Sequence, residues 1–452
     1  MSTVKVNKIT PRTCNSIQLG ESGDTLTIPS GATLQNCGTS TGFGLAFCTT
    51  VKTSPFTATA NKGFFINTGS AVTVTLPASP STGDELIVID STGQAATNNI
   101  TLGRNGSKIK GLCMDADIKV NRGGLRIVYS GSSQGWVTVT SANDATASQV
   151  AYVTATGGTV TTCGDFKIHT FNASGCFSVS CAGTSSGSNK VSYFVVAGGA
   201  GGGSGYGGGG GAGGFREGKC SSDPYTDSPL DSGVGLSVPA ATYPITVGAG
   251  GTGGAPPSPA TSSGGSGNNS IFSTITSAGG GGGGKNCGTA GIAGGSGGGG
   301  GAACAAGGAG NTPPVSPPQG NPGGTASPGH PVGYYGGGGG GAGAAGTDGS
   351  PTNNTGGAGL ATSITGSPVT RGGGGGGSHY PSPSRPTPGA AGGSGGGGAG
   401  GSAGPNPYTA AVAGTDNTGG GGGAGGFNPG SGHQPGGAGG SGTVIIRYKF
   451  QN

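Results

Sequence analysis

Runs of four to six consecutive glycines limit what the second half of this chain can fold into more than any other feature. They lie at 207–211, 279–284, 297–301, 336–341, 372–377, 395–398 and 419–423. Fixing each backbone unit costs about 1–2 kcal/mol, so a six-residue run needs roughly 6–12 kcal/mol of compensation, and it has no side chains to supply it. One net hydrogen bond returns only about 0.5–1.5 kcal/mol, so no single run is stable alone.

Lateral association of the runs is the remaining way to fold them. An extended helix of the polyproline II type has three residues per turn and points every N–H and C=O outward. Without Cβ atoms, such helices can approach closely enough to hydrogen-bond to one another. We therefore predict a compact slab of antiparallel or parallel polyglycine II rods, with the side chains confined to loops at its rims, where they are available for specific binding.

The composition divides the chain near Gly198, because most of the 114 glycines follow this residue. Glycine at this level, with 29 prolines, lies outside ordinary globular usage, but the Gly-X-Y phasing of collagen is absent. The net charge is +5 and only 8% of the residues are charged, whereas disordered chains usually carry a high net charge. This weak, diffuse basicity does not indicate a nucleic-acid partner, and we predict none.

Short β-branched runs bounded by turn signals fill the first part of the chain. Examples are VTVTLPAS at 72–79, ELIVIDS at 85–91, LRIVYS at 125–130 and WVTVTS at 136–141. With no helical period in this half, the pattern predicts an all-β fold. Residues 43–145 can supply one small core, whereas residues 1–42 are too few to bury a core and need a partner.

The aromatic and aliphatic side chains of these runs are the core candidates of the module. They are Phe64, Phe65, Leu76, Ile87, Val88, Ile127, Tyr129 and Trp136.

A further set of strands is predicted at 146–197, and its complement lies at the far end of the chain. FKIHTF at 166–171 alternates, VSYFVV at 191–196 is almost continuously apolar, and GTVIIRYKF at 442–450 is equally rich in β-branched and aromatic residues. We predict that these strands pair into a β platform of 146–197 and 442–452, from which the glycine-rich segment 198–441 projects. Phe215, Ile245, Phe272 and Ile364 are expected to plug the base of the slab.

Several blocks of the sequence resemble the glycine-rich domain of bacteriophage tail fibres and adhesins. They are YFVVAGGAGGGSGYGGGGGAGGFREG from Tyr193, YPITVGAGG from Tyr243, NSIFSTITSAGGGGGG from Asn269, GLATSITGSPVTRGGGGGG from Gly359 and GGAGGSGTVIIRY ending at Tyr448. The opening MSTVKVNKITPRT and the NTGSAVTVTLPAS module are also similar to phage fibre sequences. The resemblance implies a sandwich of polyglycine II helices with distal loops that contact the host surface. It further implies a homotrimeric fibre that residues 1–42 attach to a tail or adaptor protein of the virion.

Aromatic, histidine and arginine side chains in the predicted rim loops are the candidates for contact with a host receptor, either an outer-membrane protein or a polysaccharide. Such groups commonly anchor interfaces, and tyrosine also stacks on sugar faces. The receptor-binding candidates are Tyr225, Tyr334, Tyr335, His379, Tyr380, Arg385, Tyr408, Phe427 and His433.

Catalysis has little support in the sequence, and we predict neither an enzyme nor a cofactor. The four histidines are scattered, with His169 expected to be structural, and no paired carboxylates, nucleophile elbow or phosphate loop can be named. The ten cysteines match no zinc spacing, so free thiols and no metal are expected.

The chain also lacks a recognisable secretory signal and an apolar run of membrane length, which is consistent with a virion protein made in the host cytoplasm. Two alternatives stay open. The first is a purely structural virion fibre or head decoration protein. The second is an ice-binding or other structural glycine-rich protein, which the irregular interruptions of the runs disfavour.

Overall fold

A computed structural model describes residues 45–140, 147–148, 151–184, 187–256, 262–329, 333–379, 389–402 and 408–451. This described part contains 25 strands and no helix, so the predicted all-β fold is confirmed. Within it, two compact units are distinguished: one takes in 45–105, 118–131 and 136–140, and the other takes in 106–117, 132–135 and the residues from 147 onward. The predicted attachment segment 1–42 lies outside the described residues, and the four-part division of the chain stays a prediction.

The described residues up to 140 form short strands, and most of those predicted are present. The strands are β1 (Ala46–Phe47), β2 (Phe56–Thr57), β3 (Lys62–Ile66), β4 (Val72–Thr75), β5 (Glu85–Asp90), β6 (Ile100–Gly103), β7 (Ala116–Ile118), β8 (Gly124–Tyr129) and β9 (Trp136–Thr140). One sheet has the order β1-β3-β5-β8-β9, and in a second sheet β4 lies between β2 and β6. From β1 to β6 the chain alternates between the two sheets, so neighbours such as β3 and β5, or β4 and β6, are parallel.

The core of this unit comes from the alternate positions of these strands. Five of the predicted core residues are buried, namely Phe64, Leu76, Val88, Ile127 and Trp136. The other three, Phe65, Ile87 and Tyr129, are half-buried. Phe65 and Ile87 each lie next to a buried residue in the strand and therefore face the opposite side of the sheet, as the two-residue period of a strand requires.

A buried carboxylate ties several turns of the first unit together. Asp90 accepts hydrogen bonds from Thr68 Oγ1 at 2.7 Å, from the backbone N–H of Gly93 and Arg122 at 2.9 Å each, and from that of Ala95 at 3.1 Å. Burial alone would raise the pKa of Asp90, but these donors outweigh it and lower the pKa to about 2. The side chain is therefore ionised and fixes the turns that follow β5.

The second unit contains the predicted platform. Its strands are β10 (Ala147–Ser148), β11 (Val153–Thr156), β12 (Thr159–Cys163), β13 (Phe166–Phe171), β14 (Gly175–Ala182), β15 (Lys190–Val196), β16 (Phe215–Gly218), β17 (Leu236–Ser237), β18 (Thr242–Thr246), β19 (Ser270–Phe272), β20 (Ile275–Ser277), β21 (Leu360–Thr362), β22 (Val369–Arg371), β23 (Phe427–Asn428), β24 (Gly432–His433) and β25 (Thr443–Lys449). The two largest sheets have the orders β11-β14-β18-β19-β20 and β12-β13-β25-β15-β16, while β21-β22 and β23-β24 are separate hairpins.

The predicted pairing of the two ends of the glycine-rich segment is confirmed. β25 lies between β13 and β15 and is antiparallel to both, with Ile446 opposite His169 on one side and Tyr193 on the other. Its side chains are buried on both faces of the sheet from Thr443 to Tyr448, which explains why Val444, Ile445 and Ile446 follow one another with no polar residue between them.

The glycine runs form rods that hydrogen-bond laterally with a period of three residues. Along the rod 207–214, the amides of residues 208, 209 and 210 donate to Gly284, Gly337 and Gly422, and those of 211, 212 and 213 donate to the same three rods again, at Gly281, Gly340 and Gly419. The carbonyls of this rod accept from three further rods, through Ala200, Gly299 and Gly375. One central rod is thus bonded to six neighbours, as expected for polyglycine II.

Glycine is required in these rods because neighbouring backbones touch. A Cβ atom added at Gly209 would lie 2.1 Å from Gly375 O, and one added at Gly208 would lie 2.1 Å from Gly299 O. Real Cβ atoms essentially never approach other atoms below 3.0 Å. Few positions admit a methyl group, as at the buried Ala200 and Ala212.

Successive rods run alternately away from the sheets and back towards them. The rod 197–203 leaves β15, and after a turn at 204–206 the chain returns to β16 as the rod 207–214. Gly203 lies opposite Gly208 and Ala200 lies opposite Gly211, so the two rods are antiparallel. The same reversal places further turns at the ends of the rods remote from the sheets. We call these ends the distal tip; its described parts used below are the turns 204–206, 285–288, 302–304, 333–335 and 427–433 together with His379.

Two apolar clusters lie at the platform end of the rods. Ile245 and Phe272 belong to one of them, and Phe215 and Ile364 belong to the other, all with at most 2% of their surface exposed. The four side chains predicted to plug the base of the slab are therefore buried at that base.

Candidate functional site

The turns of the distal tip are bonded to one another through their backbones. Gly205 N–H donates to Gln434 O at 3.0 Å, Ala302 N–H donates to Tyr206 O at 2.9 Å, and Gly288 N–H donates to Ala302 O at 2.8 Å. Turns that are far apart in the sequence are thereby held side by side on the ends of the rods.

A stack of aromatic rings occupies part of this tip. The Tyr206 ring lies between those of Tyr334 and Phe427, with centroid distances of 5.7 and 5.6 Å and interplanar angles of 23° and 28°. The His433 imidazole stands edge-on to both Tyr206 and Phe427, at 5.7 and 5.2 Å. We call these four side chains the ring stack. Three turns supply it, and Tyr334 is 37% exposed, so the stack reaches the surface.

A second aromatic pair lies deeper in the tip. Tyr335 and His379 meet at 4.9 Å with an interplanar angle of 61°, and each is 6% exposed. The backbone N–H of Tyr335 donates to Ser327 Oγ at 2.9 Å, which fixes the start of the rod 336–341. Burial lowers the pKa of His379, so its ring is neutral at pH 7.

Two buried polar atoms of the tip have no hydrogen-bond partner among the described residues. They are His433 Nδ1, within the ring stack, and Ser378 Oγ, on the residue before His379. Buried polar atoms are nearly always paired, with protein groups or with bound molecules. Among the described residues, these two atoms are exceptions to that rule.

The structure brings together five of the nine predicted receptor-binding residues: Tyr334, Tyr335, His379, Phe427 and His433. Tyr408 precedes Thr409, whose N–H donates to Ser402 Oγ at 2.9 Å, and it is half-buried, with a pKa raised by burial. Tyr380 and Arg385 lie outside the described residues.

The structure corrects the predicted position of Tyr225, which lies in the interior of the platform and not in a rim loop. It is 6% exposed and belongs to the same apolar cluster as Phe215 and Ile364. The physical reason is the direction of the rods. Since 207–214 runs back to the sheets, the excursion that follows β16 starts at the platform end.

Buried charges surround Tyr225, and the sequence analysis did not find them. Arg447 on β25 forms an ion pair with Asp223 at 2.9 Å, and its guanidinium lies 5.5 Å from the Tyr225 ring centroid. Glu217 accepts hydrogen bonds from the Thr362 hydroxyl and, at 2.9 Å, from the Ser228 N–H. Burial raises the pKa of Glu217. These bonds fasten the excursion after β16 to β25 and β21, which is a structural role.

Tyr206 is the functional candidate that the sequence analysis missed. It interrupts two glycine-rich segments in GGGSGYGGGGG, so the signal of a lone aromatic between two rods was present. The turn is only three residues long, and the adjacent rod 197–203 contains two alanines and no long glycine run, which hides the fact that the chain reverses there.

The turns 204–206, 333–335 and 427–433 that supply the ring stack contain no Asp, Glu, Lys or Arg. Within the part of the chain that the structure describes, no group of three or more metal-ligating side chains could hold a metal ion. Among those same residues, no helix has the length and apolar character needed to cross a membrane.

A glycine-rich domain family matches residues 172–449 of this chain. The match spans more than half of the sequence and includes both the platform strands from β14 onward and every glycine run named above, so the chain belongs to this family. No curated protein matches the chain.

Proposed function

We propose that this protein is a bacteriophage tail fibre protein whose distal tip recognises a molecule on the surface of the host bacterium, without catalysing a reaction. The observation that carries the proposal is the collection of the side-chain-bearing turns, with the ring stack, on one end of a bundle of rods. The hydrogen-bonded platform and rods hold these turns in place, as a scaffold holds binding loops. Aromatic side chains such as those of the ring stack commonly anchor interfaces.

The proposal includes the architecture implied by the resemblance to phage fibres. Three copies assemble into a homotrimer, residues 1–42 attach it to a tail or adaptor protein, and the protein is part of the virion. Assembly with other copies would provide the partner that so short a segment needs. The rods extend the tip away from the platform, which is the arrangement that an adhesin requires.

The direct test uses the purified full-length chain and a panel of bacterial strains. Specific binding to some strains, and a block of phage adsorption to the same strains, are expected. If the protein binds none of a broad panel and blocks no adsorption, the adhesive function is wrong and the purely structural fibre becomes the better description. Mass measurement in solution tests the trimer separately, because a monodisperse monomer near 41.9 kDa would refute it.

A further inference from the structure

We infer that one face of the sheet β1-β3-β5-β8-β9 is the surface through which copies of this chain associate. This inference rests on the proposed homotrimer and deepens it by naming the contact surface and its partner, a second copy of the chain. Three features of the first unit carry it: the apolar side chains on this face, the contrast with the second sheet, and the balance of charge.

Both faces of the sheet β1-β3-β5-β8-β9 carry apolar side chains. The residues of β5 alternate between half-buried and buried positions, so Ile87 and Ile89 point away from the core. The same alternation places Val128 of β8 on that side, and Val137 of β9 lies opposite Val128. We call this side the outer face; its apolar side chains are Phe47, Phe65, Ile87, Ile89, Val128, Val137 and Val139.

The outer face extends from one edge of the sheet to the other. At the β1 edge, the Phe47 ring stacks on that of Phe65 with a centroid distance of 4.9 Å and an interplanar angle of 26°. The same ring covers Gly63, where an added Cβ would lie 2.6 Å from it. Phe47 is nevertheless 39% exposed, and Val139 in β9, the opposite edge strand, is 51% exposed. The chain therefore covers this apolar surface only in part.

The second sheet of the same region shows the contrasting pattern of a side that faces water. Its strands β4 and β6 are parallel, as β3 and β5 are, and they also alternate between buried and half-buried residues. On this sheet, however, the half-buried residues are threonines, namely Thr73, Thr75 and Thr101. A sheet with one solvated side has polar residues there, whereas strands that are apolar on both sides are typical of sheets buried on both faces. The outer face is therefore suited to burial against a partner.

The charge of the outer face permits contact between identical surfaces. Among the outward positions of its five strands, the charged residues are Glu85 and Arg126, and they form an ion pair with 2.6 Å between Oε2 and Nη2. Because the two charges balance, copies of this face do not repel one another through unpaired like charges. Interfaces between copies of one chain are also more apolar than other protein interfaces. A second copy therefore fits the outer face better than a charged partner.

Self-association is a separate role in the proposed fibre. The distal tip is proposed to contact the host, and residues 1–42 are proposed to contact the virion. The outer face belongs to neither of these segments, so it can be buried between copies without removing either proposed contact.

The test measures the mass of the full-length chain and of three variants by sedimentation velocity over a range of protein concentrations. Ile87→Lys and Val139→Lys each place a positive charge on the outer face. Thr73→Lys is the matched control, because it adds the same charge at a half-buried outward position in a parallel strand of the second sheet. Thermal unfolding followed by the fluorescence of Trp136, the one tryptophan of the chain, shows whether each variant folds.

Association of the original chain and of Thr73→Lys, with about three times the monomer mass of 41.9 kDa, is the expected result. Ile87→Lys and Val139→Lys should need a protein concentration higher by roughly tenfold or more to associate, because an ammonium group buried in the contact loses water without gaining a partner. A cooperative Trp136 transition in each variant shows that the loss of association is not caused by unfolding.

The other outcomes overturn the inference in distinguishable ways. If both outer-face variants remain trimers, association uses another surface: the homotrimer stands and the inference is wrong. If these trimers also unfold at a much lower temperature than Thr73→Lys, the outer face is covered within one chain. Equal dissociation of Thr73→Lys would contradict the assignment to one face. A monomeric original chain would refute the homotrimer together with the inference, whereas the adhesive function is tested separately by the strain panel.

Discussion

Replacing Gly209 by alanine tests whether the rods depend on the close approach of bare backbones. The new Cβ would lie 2.1 Å from Gly375 O, whereas ordinary contacts begin at 3.4 Å, so the two rods must separate by more than 1 Å. Two hydrogen bonds join these rods on either side of Gly209: Gly375 N–H donates to Gly210 O at 2.8 Å, and Ser378 N–H donates to Gly207 O at 3.2 Å. Both bonds are therefore expected to break.

The magnitude follows from these two bonds. Leaving a buried backbone group unpaired costs about 1–3 kcal/mol, so two broken bonds cost about 2–6 kcal/mol. Alanine also restricts the unfolded chain, which returns about 0.4–1 kcal/mol. The free energy of unfolding of the second unit should therefore fall by about 1–5.6 kcal/mol.

Urea unfolding followed by tyrosine fluorescence measures this loss, and hydrogen exchange of the peptides covering 207–214 and 372–378 locates it. Gly175→Ala is the matched control, because a Cβ at this exposed position in β14 meets nothing closer than 3.7 Å. That variant should unfold at the same urea concentration or slightly higher. If Gly209→Ala stays within about 0.5 kcal/mol of the original protein, with unchanged exchange in both peptides, lateral packing of the rods does not stabilise the fold as argued.

Three further predictions concern buried ionisable groups. Asp90→Asn should lower the free energy of unfolding of the first unit by about 2 kcal/mol at pH 7. Because the pKa of about 2 in the folded protein lies below the ordinary 3.8, this contribution disappears as pH falls from 4 to 2. Unfolding followed by Trp136 fluorescence should therefore give the same stability for Asp90→Asn and the original protein at acid pH. His169 Nδ1–H donates to Gly157 O at 2.7 Å, and its Nε2 is hydrogen-bonded to Tyr448 Oη at 3.0 Å. Burial lowers the pKa of His169, so unfolding of the original protein should become easier as pH falls below about 6.5. A His169→Gln profile as steep between pH 7 and 5 would contradict this. Burial raises the pKa of Glu217, so its neutral form favours folding at low pH, and that stabilisation is lost as pH rises. Glu217→Gln should therefore raise the melting temperature at pH 8 more than at pH 5. An equal change at both pH values would refute the raised pKa of Glu217.

The sequence was sufficient for the parts of the fold that depend on backbone chemistry alone. A glycine run has no way to fold except against other runs, so the rods could be predicted without knowing their order. The pairing of β15 with β25 followed in the same way from two apolar strands that flank the runs.

The placement of individual loops needed the path of the chain. The glycine run before Tyr225 predicts a rim position for it, but which end of the slab a loop occupies depends on how many rods precede it. The rod 197–203 is interrupted by alanine, and this interruption concealed the reversal at Tyr206. The buried pair of Asp223 and Arg447 joins residues 224 positions apart, a separation over which local pattern carries no information.

The three-residue period of the lateral bonds gives the rods a reading frame. Along 207–214, inserting one residue would turn every following N–H by a third of a turn and aim it at a different neighbour, whereas inserting three would restore the original partners one step further along. The turns at the distal tip do not follow this three-residue period of lateral hydrogen bonds. Changes of length are thus restricted to multiples of three within the bundle and unrestricted by this rule at its tip, so the turns of the tip can change in length and sequence while the rods beneath them keep their register.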